Sequence, residues 1–504
     1  MSRIDDAKVE EIVQKVVAKL GPLLSQVGPV TNPRATPSPS EVCGPSPALV
    51  SRAGGNVGGQ VSRASGRRGI YDDVDSAVKA ARAAHEHLVH KMKLRERDVC
   101  IAAIRQRVHD IVQQLATMAV EETRLGRVAD KINKNLLVAD KTPGTEILRP
   151  IAQSGDDGLM LIERAPYGVI GAITPTTNPT ETIICNSIGM IAAGNSVVFN
   201  VHPSAKKVCR FLVEQLNDAI IGAGGPEGLI AMMGEPTIES ANAMMKHPGV
   251  RLVVVTGGPG VVKAAMQSGK RAICGGPGNP PVVVDETADL RQAGKGIVAG
   301  CSLDNNIVCI AEKEVFVVND VADGLVKEIE KAGGAIMSRA DITKLEKLVL
   351  DTDRAHPHKD WVGQDAAKIA RAIGKSVPEA TRILLCEVDG EDHPFVQTEL
   401  LMPVLPLVRV KSVEDGIAAA VRCEHGFGHT AVMYSTNIAA LHMMARAVDC
   451  SIFVKNAPTY AGLGLGGEGY TSFTIASPTG EGLTTAISFS RERRCTLKDH
   501  FRIV

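Results

Sequence analysis

The sequence predicts an α/β protein built on doubly wound parallel sheets. Two features of residues 70 onward predict it, and a third marks off the first 68 residues as something different. Short apolar runs alternate with stretches of helical periodicity, the pattern of strands covered by helices on both faces. One run, "VRLVVVTG" at 250–257, leads into a glycine-rich turn and then a helix, where such sheets bind nucleotides. The opening segment instead joins a helical pattern to a stretch too rich in Pro, Gly and Ser to build a core.

In chain order, "SRIDDAKVEEIVQKVVAKLGP" places Ile4, Val9, Ile12, Val13, Val16, Val17 and Leu20 on one helical stripe. Ser2 or Asp5 is suited to cap its start, and Gly21-Pro22 ends it. Residues 21 to about 68 read as a flexible tether with a mean span of roughly 35–40 Å. An amphipathic helix on such a tether suits docking into a partner's groove; packing on the main body is the alternative. From about residue 70 the predicted strands are "YGVIGAIT" (167–174), "NSVVFNV" (195–201), "GLIAMM" (228–233), "VRLVVVTG" (250–257), "PPVVVD" (280–285) and "EVFVV" (314–318). Helical patterns at 204–220 and 237–247 lie between them.

The length of 504 residues calls for two or three domains. Acidic and basic residues balance at 56 each, giving no electrostatic reason to expect a nucleic-acid or membrane-surface partner. No apolar run reaches the roughly 18 residues of a membrane span. The start "MSRIDDAKVE" carries acids and no apolar core, unlike a secretory signal. Eleven cysteines without C-x-x-C pairs argue against a disulfide framework or a zinc site and for a reducing cytoplasm. No metal is expected.

Three stretches are candidates for chemistry. In "VVVTGGPGVVKAAM" (253–266), Gly257, Gly258 and Gly260 let a phosphate approach the backbone at a helix N-terminus. The stretch is not G-x-G-x-x-G, and many such turns bind nothing. In "GAITPTTNPTETIICNSIGMIAAGNSVVFNVHPSAKK" (171–207), Asn178 precedes a proline that keeps it out of a helix. Its carboxamide is either an oxyanion donor or an Asx-turn residue. His202 meets a nucleotide or is a surface histidine. In "DNNIVCIAEKEVFVV" (304–318), Cys309 precedes a strand, but no neighbouring residue is a base that ranks it above Cys274 or Cys301.

The segments "ITPTTNPT", "VVVTGGPG", "GGPGNPPVVVDETADL", "DNNIVCIAEKEV", "TELLMPVLPLV" and "GLGGEGYTSFTIASPTGEGLTTA" occur in that order. Together they resemble the coenzyme A-acylating branch of the aldehyde dehydrogenase superfamily, of the propionaldehyde and acetaldehyde type found in bacterial microcompartments. The resemblance runs from about 70 to 504. It implies that Cys309 is the catalytic cysteine and Asn178 an oxyanion donor. It implies that Glu399 holds the nicotinamide ribose and that Gly257 and Gly258 turn beside the cofactor pyrophosphate. Thr176, Thr177, His202, Pro203, Gly234, Thr256, Gly275 and Leu401 complete the implied cofactor site.

The implied fold has a nucleotide-binding domain (69–146 and 167–276), a catalytic domain (277–486) and a β oligomerisation flap (147–166 and 487–504) that makes a dimer or tetramer. The helix 1–20 and linker 21–68 resemble encapsulation peptides, implying a shell-protein partner and the lumen of a cytoplasmic microcompartment. The implied reaction converts a short-chain aldehyde, propionaldehyde first and acetaldehyde second, to its acyl-CoA, with NAD as cofactor and coenzyme A as co-substrate.

Two positions depart from hydrolytic members of the superfamily. Their water-activating glutamate is replaced in "AICGGPGN" by Cys274 or Ile273, with no acid nearby. Their adenosine-side lysine is replaced by Asn200, followed by His202-Pro203. Cys274 is expected beside the nicotinamide. Three other readings stand beside this one: an aldehyde dehydrogenase releasing free acid, a cysteine acyltransferase of thiolase type, and a scaffold whose function is the tethered helix.

Overall fold

The structure is a computed structural model that describes residues 68–353 and 355–504. The expected helix 1–20 and nearly all of the linker lie outside the described residues.

Each apolar run forms a strand within a residue or two of its predicted place. Six strands make one wholly parallel sheet, in the order Ile70–Tyr71, Ile230–Met233, Ser196–Asn200, Val169–Ile173, Val250–Thr256, Arg271–Gly275. Seven make a second, in the order Gly334–Ile336, Ile383–Val388, Val404–Val410, Glu314–Val318, Pro281–Val284, Thr430–Tyr434, Ile452–Lys455, again all parallel. The central strands are buried at every position, as sheets covered on both faces require. The expectation of parallel-sheet α/β architecture therefore holds.

The covering helices carry the matching stripe. Leu94–Thr123 buries Cys100, Ile101, Ile104, Val108, Ile111, Leu115 and Ala119 on one face. It stops where Arg124 turns left-handed at φ 62°. Pro179–Ala192 is buried all round and begins with a proline, whose missing N–H is not needed there. A third, antiparallel sheet pairs Ile151–Gly155 and Ser490–Lys498 with opposite edges of Gly158–Pro166, and most of its outer residues are exposed.

The topology places the site. In the first sheet the chain leaves Val169–Ile173 toward one edge and returns on its other side at Val250–Thr256. Ligands bind at such a reversal, outside the carboxyl ends of the strands. The chain then passes from Arg271–Gly275 through Gly276–Pro280 into the second sheet. The carboxyl ends of the first sheet and the loops entering the second thereby line one cavity.

Phe316 lies fully buried in the middle of Glu314–Val318. Phe316→Ala is expected to cost about 3–5 kcal/mol, read as a lower urea midpoint with an unchanged m-value.

Candidate active site

The cavity has a volume of about 790 Å³. The first sheet contributes the segment Ile173–Asn178, Asn200–Pro203 and Thr256–Pro259; the second contributes Ile307–Cys309, Gln397–Glu399, Leu401, His425 and Phe427. Of the residues predicted from sequence, Thr176, Thr177, Asn178, His202, Pro203, Thr256, Gly257, Gly258, Cys309, Glu399 and Leu401 all line it. Gly234 and Gly275 do not. Gly234 donates its N–H to Tyr71 O at 2.7 Å. Gly275 accepts from Gly257 N at 3.1 Å, and a Cβ on it would stand 3.0 Å from Ile475 O.

Cys309 reaches the cavity on a turn of unusual backbone. The helix Leu290–Cys301 ends, and Asp304, Asn305 and Asn306 follow with φ of 48°, 54° and 68°. Left-handed geometry costs a residue with a Cβ about 1–2 kcal/mol, and Asn and Asp tolerate it best. Each of the three is clamped by its side chain. Asp304 accepts from Arg127 N at 2.7 Å and from Lys131 Nζ at 3.0 Å. Asn305 donates to Gly363 O at 2.9 Å and to Asp365 at 3.0 Å. Asn306 donates to Cys301 O at 2.8 Å and Glu312 O at 3.0 Å, and accepts from Lys313 Nζ at 2.6 Å. Gly126 is necessary here, because a Cβ there would stand 2.0 Å from Asp304 Oδ1.

Asn178 precedes Pro179 and sits at the start of the buried helix. Its Oδ1 accepts from Lys134 Nζ at 2.6 Å, and its Nδ2 lies 3.3 Å from Thr177 Oγ1. Lys134 also pairs with Asp304 at 2.6 Å and Glu181 at 3.0 Å. Two lysines, two carboxylates and the amide thus form one buried cluster.

Burial pushes the Cys309 thiol up to about 12; Glu399 adds to the rise, while Lys313 and Lys134 oppose it. The Glu399 carboxyl is likewise raised by burial, against the pull of Lys313 and a hydrogen bond from the Gly278 backbone. Among the described residues, Glu399 is the only carboxylate lining the cavity. Lys313 is held below the usual lysine range by burial, despite the carboxylate of Glu399.

Cys274 differs from expectation. It is fully buried among the apolar residues of one face of the first sheet, does not line the cavity, and its N–H donates to Thr479 Oγ1 at 3.0 Å. Asn200 does line the cavity, with Oδ1 accepting from Ser240 Oγ at 2.6 Å and Nδ2 donating to Thr237 O at 3.2 Å. These bonds tie it to the start of the helix Ile238–Lys246.

Sequence reasoning missed Lys131, Lys134, Glu181 and Lys313, along with His356, His425 and Phe427 on the cavity wall. No local pattern identifies them. Lys134 lies 44 residues from Asn178, and Lys131 lies 173 residues from Asp304.

Residues 49–474 match the aldehyde dehydrogenase family. The chain is 50% identical over 441 residues to the acetylating acetaldehyde dehydrogenase EutE of Escherichia coli K12, covering 86% of this chain and 94% of that one. It is 49% identical to Rhodopseudomonas palustris propionaldehyde dehydrogenase, solved with bound CoA and an acylated cysteine; the match covers 86% and 98% of the two chains with a TM-score of 0.84. It is 47% identical to a propionaldehyde dehydrogenase from the Clostridium phytofermentans fucose utilisation bacterial microcompartment, covering 86% and 100%, with a TM-score of 0.85. The chain belongs to the aldehyde dehydrogenase family.

Proposed function

We propose that this protein oxidises an aldehyde of two or three carbons to its acyl-CoA thioester, with a nicotinamide dinucleotide as hydride acceptor. The observation that carries this reading is a cysteine and a carboxamide opening on one cavity whose only carboxylate among the described residues, Glu399, is already engaged by the Gly278 backbone and faces Lys313. The likeness to acylating enzymes, one solved with an acylated cysteine and CoA, supports it.

The cavity fits a dinucleotide. It lies at the reversal of a parallel sheet, and a Cβ on Gly258 would meet nothing within 4 Å, so a ligand can lie against that backbone. The N-terminus of the helix Pro259–Met266, whose first residue is a proline, begins at the same wall of the cavity. Glu399 supplies acceptors for ribose hydroxyls. A nicotinamide bound there would supply the hydride acceptor.

The chain's own residues do the rest. Cys309 releases its proton to solvent as its sulfur attacks the aldehyde carbonyl, forming a thiohemiacetal oxyanion. Asn178 Nδ2 and the Cys309 main-chain N–H donate to the oxyanion. Loss of hydride and collapse of the oxyanion leave a thioester on Cys309. Opening that thioester with water requires a positioned base. A thiol needs less help, because some thiolate is present at neutral pH. Coenzyme A therefore collects the acyl group: a new sulfur–carbon bond forms, the Cys309 bond breaks, and the thiol is restored. Acyl activation is conserved.

The N-terminal segment 1–20 is proposed to dock on a shell protein, placing the enzyme in a microcompartment lumen. The antiparallel sheet formed by Ile151–Gly155, Gly158–Pro166 and Ser490–Lys498 is proposed as the flap through which copies of the chain assemble as a dimer or tetramer. The domain partition 69–146 with 167–276, and 277–486, belongs to the same proposal.

Three measurements test this reading. Cys309→Ala is expected to abolish both NADH formation and acyl-CoA formation, and the native enzyme should yield acyl-CoA with coenzyme A present; rapid release of free acid, unchanged by coenzyme A, would contradict it. With the thiol pushed up to about 12, iodoacetamide labelling of Cys309 in the ligand-free enzyme should rise about tenfold per pH unit between about pH 7 and 9, because the thiolate fraction does; a plateau below about pH 8 would show an already activated thiolate. Deleting residues 1–20 should leave kcat unchanged and release the enzyme from co-purifying shells.

A further inference from the structure

Lys134 takes no part in the chemistry above, yet it sits where the site is held together. It lies on the helix Val128–Lys141 and is 1% exposed. An ammonium has three N–H donors and no acceptor. Three oxygens surround this one: Asn178 Oδ1 at 2.6 Å, Asp304 Oδ2 at 2.6 Å and Glu181 Oε1 at 3.0 Å. The Phe473 ring centroid stands 5.9 Å from Nζ. Asn178 and Glu181 belong to the segment that begins the buried helix Pro179–Ala192, and Asp304 opens the turn that delivers Cys309.

The consequence follows from the asymmetry of a carboxamide, which accepts at one end and donates at the other. Facing an ammonium, Asn178 must present its oxygen. The reverse orientation would set two donors against each other. The nitrogen is thereby turned to the other side, toward Thr177 Oγ1 at 3.3 Å and the cavity that Asn178 and Cys309 share. Released from the ammonium, the amide is free to turn over, and its oxygen would then meet a developing oxyanion and repel it.

We infer that Lys134 is a positioning residue for the oxyanion amide. One buried cation fixes the orientation of Asn178 and, through Asp304, braces the turn that carries the other oxyanion donor. The inference deepens the acyl-transfer reading and rests on it. A purely structural role would make Lys134 a counter-charge for Asp304 and Glu181. The two roles separate if the charge balance is kept. Lys131 already pairs with Asp304 at 3.0 Å, so removing Lys134 and neutralising Glu181 together leaves one lysine and one carboxylate.

The experiment is a mutant cycle built on Glu181→Gln, adding Lys134→Met, Asn178→Ala, or both. The readout is single-turnover NADH formation, together with the aldehyde KM. Asn178→Ala is expected to slow the turnover about 10²–10³-fold. Lys134→Met should slow it about tenfold or more while changing KM less than about twofold. In the Asn178→Ala background it should add less than about a twofold further loss, because the group it orients is gone. An equal loss in both backgrounds overturns the inference and leaves the acyl-transfer reading standing. No loss from Asn178→Ala removes the oxyanion assignment and, with it, the inference. If the Met variant lacks a native circular dichroism spectrum, Lys134→Gln runs the same cycle: it keeps much of the volume but accepts either amide orientation, so it should also slow the turnover, again without further loss once Asn178 is Ala.

Discussion

The active site depends on three consecutive residues held in left-handed backbone geometry. Asp304, Asn305 and Asn306 turn the chain sharply between the helix Leu290–Cys301 and the strand Glu314–Val318, and that turn brings Cys309 into the cavity. The geometry is unfavourable for any residue with a Cβ. It persists because every side chain in the run is bonded to a different neighbour: the start of the helix Val128–Lys141, the loop at Gly363 to Asp365, and the chain's own return through Glu312 and Lys313. Asn and Asp suit the run on two counts, since they tolerate the conformation and carry the groups that hold it. Strain in the turn that leads to Cys309 is offset by polar contacts drawn from distant parts of the chain.

Those contacts put charge inside the protein. Lys131 and Lys134 face Asp304 and Glu181, with every member close to fully buried. Burying one such ion alone would cost several kcal/mol, while a matched set loses far less. The same low-polarity surroundings raise the Cys309 thiol and the Glu399 carboxyl. On the proposed reading, the negative charge that develops during attack is met by fixed hydrogen-bond donors instead of by water. What the cavity lacks matters equally. With Glu399 already engaged, no further carboxylate lines the described wall to activate water, which favours a second thiol as acceptor.

The two parallel sheets meet this requirement through their directions. The first presents carboxyl ends to the cavity and the second presents the loops that enter its strands. One sheet thus offers glycine backbone and a helix N-terminus, suited to phosphate, and the other offers Cys309 and Glu399. Neither half has both. Bringing them together across Gly276–Pro280 makes a site that can hold a nucleotide and an aldehyde carbonyl within reach of each other.

Much of this was legible in the sequence. Runs such as "VRLVVVTG" and "EVFVV" announced buried strands because a strand covered on both faces has no polar positions. The glycines at 257 and 258 announced a close backbone approach. Ordered motifs singled out Cys309, Asn178 and Glu399, which nothing in their immediate neighbours could have done, and the structure brings all three to one cavity. Cys274 was placed by a motif match, but its side chain packs into an apolar face of the first sheet and does not line the cavity, which the motif by itself does not reveal. The sequence by itself determined the elements and the chemistry-bearing residue types, because periodicity and turn preference are local. Only the tertiary structure decided what supports them. The ammonium of Lys134 reaches Asn178, Glu181 and Asp304 from three separate segments, and no local pattern records such a meeting, since side-chain charges pair in space and not along the chain.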